Sequence, residues 1–150
     1  SSGLSPSMID LELTESCLVE DEKQALRLIH MFRERGAQVH LDDFGTGYAS
    51  LTHLKRFPVN IIKIDQSFVR NMLVNPEDCA IIKALIGLGK RLSIHIVAEG
   101  VENQGQASFL ARQGCDFGQG YLFSPAVKAA EVPELMSRFK QSAIPPCARA

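Results

Sequence analysis

Two adjacent carboxylates, Asp42 and Asp43, close the apolar run Val39-His40-Leu41, and the turn Gly45-Thr46-Gly47 follows at once. Side chains alternate faces along a strand, so neighbouring aspartates ordinarily point apart. At a strand end the backbone can bend and bring both carboxylates to one site. Such a pair is costly unless a cation lies between the charges. A divalent metal at the mouth of an α/β sheet is the chemistry this implies. A solvated Asp-Asp turn is the plain alternative.

Recurrence along the chain favours the metal. Five segments read as strands, and they end on Glu12 with Glu15, Asp42 with Asp43, Lys63 with Asp65, Glu99 with Glu102, and Gln119. Carboxylates far outnumber the one lysine, and such a cluster cannot stay ionised at neutral pH without metal. Hard oxygen ligands point to Mg²⁺ or Mn²⁺ rather than zinc. Two ions about 3.5–4 Å apart suit in-line hydrolysis of a phosphodiester.

Lys63 has three possible roles. A Schiff base needs a depressed pKa, whereas surrounding carboxylates raise it. A fixed cation that holds the attacking water or a phosphate oxygen is the favoured reading. A structural ion pair with Asp65 or Glu99 is the alternative. Gly45-Thr46-Gly47 lacks the Lys-Ser/Thr ending of a P-loop. It reads as a mobile loop supporting the acid pair, with Glu15 as its anchor. His30, His40, His53 and His95 share no ligand spacing and read as packed or surface residues.

These groups need elements to position them. Strands are expected over 8–14, 37–42, 60–64, 93–98 and 117–123. Helices are expected over 17–35, 49–55, 75–90, 103–113 and 131–140. The first carries an apolar stripe, Leu18, Ala25, Leu26, Ile29 and Phe32, and stops at Gly36. Asn75-Pro76-Glu77-Asp78 is a strong helix start, with Ile81, Ile82, Leu85, Ile86 and Leu88 as the buried side. The alternation is that of βα units and implies a parallel sheet, whose ligands gather at the carboxyl ends of the strands. A barrel gathers those ends into a ring, which suits a site built from all five.

Composition narrows the class. With 150 residues, 45% hydrophobic and 22% charged, the chain is an ordinary single globular domain. A net charge of −1 provides no basic field for DNA or RNA. No run approaches the roughly 20 apolar residues of a membrane span. Cys17, Cys79, Cys115 and Cys147 form no CxxC pair, which fits incidental thiols in a reducing cytoplasm.

Five motifs then occur in order: Glu12-Leu13-Thr14-Glu15-Ser16, Asp42-Asp43-Phe44-Gly45-Thr46-Gly47-Tyr48, Ile62-Lys63-Ile64-Asp65, Val97-Ala98-Glu99-Gly100-Val101-Glu102, and Gly114-Cys115-Asp116-Phe117-Gly118-Gln119-Gly120-Tyr121. From about residue 4 to 139 the chain closely resembles the EAL-domain cyclic-di-GMP phosphodiesterases of bacteria. The resemblance implies a modified TIM barrel that opens cyclic di-GMP to linear pGpG with two Mg²⁺ or Mn²⁺ ions. It implies Glu12, Asp42, Asp43 and Glu99 as metal ligands, and Lys63 and Glu99 as the groups that hold and orient the catalytic water. Asp65, Glu102 and Gln119 would support the metals and the substrate, and Glu15 would fix the loop after Asp43.

The Glu-Ala-Leu segment and the family's metal-binding Asn are absent and are expected upstream of Ser1. A full barrel needs about 250 residues. The expectation is therefore a partial (β/α)8 barrel of about five parallel βα units over 1–140, the carboxyl-terminal part of an EAL domain, with a flexible tail over 141–150. The partners expected are cyclic di-GMP, a second copy of the chain in a homo-oligomer, and an upstream regulatory domain. A bacterial cytoplasmic location follows. The competing reading is a truncated, inactive EAL module that binds nucleotide or a protein partner.

Overall fold

The computed structural model describes residues 3–45, 47, 54 and 56–141. Five strands form one parallel sheet: β1 (Asp10–Thr14), β2 (Gln38–Phe44), β3 (Ile61–Ile64), β4 (His95–Ala98) and β5 (Phe117–Gly118). They lie in sequence order, each beside the next. Successive right-handed crossovers in one direction put every connecting helix on the same face of the sheet. That is the curvature of a barrel wall, not of a doubly wound sheet.

The two faces differ accordingly. Val39, Leu41, Ile62, Ile64, Ile96 and Ala98 are at most 1% exposed and pack with Leu18, Ile29, Val69, Ile82 and Ile86 from the helices. The opposite face carries Glu12, His40, Asp42 and Lys63, placed there by the alternation of side chains.

The helices are α1 (Glu15–Glu20), α2 (Glu22–Glu34), α3 (Gln66–Asn71), α4 (Pro76–Leu92), α5 (Gln104–Gln113) and α6 (Val132–Gln141). The single helix expected over 17–35 is two. Asp21 breaks it at φ −144° and caps α2 by accepting from the Gln24 N–H at 2.9 Å. The buried stripe still runs through both pieces at Leu18, Ala25 and Ile29.

The start of α4 at Asn75-Pro76 is as expected: Asn75 accepts from the Glu77 N–H at 2.9 Å. Its buried line is Ile82, Ile86 and Gly89, while Ile81 is 37% exposed. Gly89 belongs to that line because a Cβ there would meet Ile96 Cγ1 at 2.6 Å.

Other boundaries shift. Pro6–Met8 is a 3-10 turn capped by Ser5, so β1 begins at Asp10. β2 runs on to Phe44. α3 is unforeseen; Asp65 caps it by accepting from the Ser67 N–H at 2.8 Å. The strand expected over 117–123 ends at Gly118, because the next residues turn across the loop after β4: Val101 N–H donates to Gln119 O and Leu122 N–H to Val101 O. Gly120 lies against the Val101 backbone, where no Cβ fits. The short helix expected over 49–55 falls, apart from Leu54, outside the described residues, as do His53 and the tail beyond residue 141.

Candidate active site

Lys63 is the centre of the site. It stands on the central strand with 6% of its surface exposed. Its ammonium lies 3.0 Å from Glu12 Oε1, 3.1 Å from Asp42 Oδ1 and 2.8 Å from Glu99 Oε1. Those partners come from β1, β2 and the residue just past β4. The Glu99 N–H continues the sheet ladder by donating to Ile64 O at 3.1 Å. Burial alone would lower the Lys63 pKa, but the bonds to Glu99, Glu12 and Asp42 outweigh it and raise it well above its ordinary value near 10.5. The raised value keeps the lysine cationic at neutral pH, which runs against the depressed pKa that a Schiff-base role needs.

Two adjacent aspartates reach this site through a backbone irregularity. The β2–β3 register shifts between Leu41 and Phe44, and Asp43 has φ 53°, a left-handed conformation uncommon outside glycine. Carboxylate oxygens of Asp42, Asp43 and Glu99 thereby lie within 4.8 Å of one another. Partial desolvation, then Asp42, then Asp65 raise the Asp43 carboxyl above its ordinary range, while Lys63 acts the other way. Three hard oxygen donors and a surplus of negative charge fit a divalent cation.

The remaining candidates divide. Glu12 is brought to Lys63 but stands outside the Asp42–Asp43–Glu99 group. Asp65 caps α3 and still acts on Asp43. Of the two pairings expected for Lys63, the one with Glu99 forms, and among the described residues no Asp65 oxygen lies within 4 Å of the ammonium. Glu102 and Gln119 are exposed, past the ends of β4 and β5. Glu15 is 3% exposed, and its Oε2 accepts from the Gly45 N–H at 3.2 Å and the Gly47 N–H at 3.3 Å.

His40, expected as a packed or surface residue, is packed beside the site at 8% exposed. It lies 3.7 Å from Asp10 Oδ2 and 3.9 Å from Glu12 Oε1, and its buried Nε2 has no hydrogen-bond partner among the described residues. Its position two residues before Asp42 on the same strand face was the available signal.

The EAL domain family model matches residues 1–126. The chain belongs to the EAL domain family. It is 43% identical over 135 residues to the cyclic di-GMP phosphodiesterase PdeR of Escherichia coli K12, covering 90% of this chain and 20% of PdeR. The solved structure "PaMucR Phosphodiesterase, c-di-GMP complex" superposes with a TM-score of 0.82 at 40% identity, covering 86% of this chain and 52% of that one. A manganese and cyclic-di-GMP complex of Klebsiella pneumoniae BlrP1 superposes with a TM-score of 0.77 at 33% identity, covering 82% of this chain and 31% of that one. The chain thus spans about a fifth of PdeR and about half of the MucR structure. Its five-stranded sheet is part of an EAL barrel.

Within this EAL domain, Lys63→Met leaves three carboxylates facing one another. Breaking such a buried pairing should lower stability by about 3 kcal/mol at pH 7 without metal, measured by urea denaturation. The folded pKa is raised, so the lysine's contribution is fully present below its ordinary value and is lost as pH rises through the folded one. On the alkaline side the wild-type and variant curves should therefore converge only at strongly alkaline pH.

Glu15→Ala removes the acceptor for two turn amides. A hydrogen bond to a charged group contributes about 1.5–3 kcal/mol, so amide exchange at Gly45 and Gly47 should accelerate about tenfold or more while β1 amides stay protected. Unchanged exchange at both glycines would show that the turn does not depend on Glu15.

Proposed function

We propose that this chain is the carboxyl-terminal part of a metal-dependent phosphodiesterase domain that hydrolyses cyclic di-GMP to linear pGpG in the bacterial cytoplasm. The observation that carries the reading is the Lys63 cluster, with Asp42, Asp43 and Glu99 grouped beside it at the carboxyl ends of parallel strands. The names of PdeR and of the MucR complex support the substrate. Among the described residues no helix is long and apolar enough to cross a membrane.

Asp42, Asp43 and Glu99 would hold one divalent cation, and Glu12 would face a second. We propose Mg²⁺ or Mn²⁺; the BlrP1 complexes contain manganese or calcium. Bound, such ions polarise the phosphodiester and lower the pKa of an attacking water. The chain's own residues supply the rest. Glu99 orients the water. Lys63 holds that water or a phosphate oxygen, with a charge that does not titrate near neutrality. Asp65, Glu102 and Gln119 support the shell and the dinucleotide, and Glu15 holds the turn that follows Asp43.

One observation favours the inactive-module reading. An ammonium has three N–H donors, and carboxylates occupy all three on Lys63. In that arrangement a water or a phosphate oxygen reaches Lys63 only where a bound cation draws one of the carboxylates away.

β1 and β5 form the two outer edges of the sheet among the described residues, with exposed Met8 and Ile9 beside one and exposed Phe117 and Tyr121 beside the other. Unpaired edges invite strand addition, so we propose a homodimer.

The chain incubated with cyclic di-GMP and Mn²⁺ should yield the linear dinucleotide by chromatography, and Asp42→Asn should yield none above background. No product from either protein would favour the binding module. Light scattering should return the dimer mass; a monodisperse monomer would overturn that part of the proposal.

A further inference from the structure

Gln106 is 3% exposed, which is unusual for a glutamine at the start of a helix. Part of its role is local. Its N–H donates to Asn103 Oδ1 at 3.0 Å, and its Oε1 accepts from the Asn103 N–H at 3.1 Å, a reciprocal capping box on α5. Capping does not explain the remainder. The same Oε1 accepts from the Glu102 N–H at 2.8 Å, and Nε2 donates to Val69 O at 3.2 Å. Val69 is fully buried on α3, the helix that follows Lys63 and Asp65. One amide thus ties the loop after β4 to the helix after β3.

Two close approaches show how tightly these parts meet. Gly100 has φ 66°, and a Cβ there would meet Gln66 Cβ of α3 at 2.6 Å. A Cβ on Gly105 would meet Leu73 Cδ1 at 3.2 Å. Glu99 spans the gap between the last residue of β4 and this clamped segment. Its carboxylate sits 2.8 Å from Lys63, so its reach depends on where the segment is held.

We propose that Gln106 is a positioning residue: by fixing the Glu99–Glu102 loop on α3, it sets the carboxylate of Glu99 against Lys63 and the Asp42–Asp43 pair. Only a side chain with both an acceptor and a donor completes this bridge. The consequence for metal binding rests on the phosphodiesterase reading; the consequence for Glu99 in the metal-free chain does not.

The test compares Gln106→Met, which keeps the volume and removes every side-chain bond, with Leu110→Ala, a core truncation on the same helix. Mn²⁺ affinity is read by calorimetry, and the Glu99 side-chain carboxyl carbon by NMR in the metal-free chain. Partners that orient a metal ligand are commonly worth about 10–100-fold in affinity. Gln106→Met should weaken Mn²⁺ binding by about that factor and displace the Glu99 resonance, while Leu110→Ala lowers the melting temperature and leaves both in place. If Gln106→Met does not fold, Gln106→Glu, which keeps the accepted bonds and loses the donor, should show a smaller displacement. An unmoved Glu99 resonance, or equal displacement by Leu110→Ala, overturns the inference. Displacement in a chain whose wild type binds no Mn²⁺ upholds the inference and instead removes the metal-dependent reading.

Discussion

A buried ammonium surrounded by carboxylates organises this structure. Removing Lys63 from water is unfavourable by several kcal/mol unless its donors are matched. Matching them requires β1, β2 and β4 to deliver Glu12, Asp42 and Glu99 to one point on β3. The demand runs both ways. The carboxylates would repel one another without the lysine, and with it they are still in excess. Asp43 and Asp65 add negative charge beside it, and partial desolvation, then Asp42, then Asp65 raise the carboxyl of Asp43. The charge balance that holds the strand ends together is thus also what makes them attract a second cation.

Much of this was legible in the chain itself. The strand ends, the order of the motifs and the parallel βα alternation all follow from local pattern, because apolar strands buried on one face and capped helices leave plain signals. The elements that escaped were short or governed by contacts distant in sequence. α3 has six residues, too few to show an apolar period, and its one local signal is the capping Asp65. The run 117–123 looks like a strand, yet Gly120 turns it across Val101, and no local pattern shows that crossing.

The site divides in the same way. Residue types named Lys63, Asp42, Asp43 and Glu99, since their chemistry is unusual wherever they stand. Which carboxylate meets which partner was not legible. Spacing cannot show that Lys63 binds Glu12 rather than Asp65, because that depends on sheet register. Nor can it show that Asp43 turns through a positive φ while the register slips beside it. Glu15 lies 30 residues from the glycine it holds, and only its position at the start of α1, under the end of β2, brings the two together.

The contacts made by the residues just after β2 and β4 explain why a geometry so charged can persist. The turn after β2 is held by Glu15 and rests on Phe68 of α3, whose ring a Cβ on Gly45 would meet at 3.0 Å. The loop after β4 is held by Gln106 and rests on Gln66 and Val69 of the same helix. α3 therefore lies between the segment carrying Asp42 and Asp43 and the segment carrying Glu99. Glycines at both contacts let backbone approach where a side chain would stand. Because the two acidic segments rest on one short helix, packing acts together with the Lys63 ammonium in setting their separation. Mutual repulsion then cannot relax by moving the loops apart, and the remaining ways to relieve it are protonation or a bound cation.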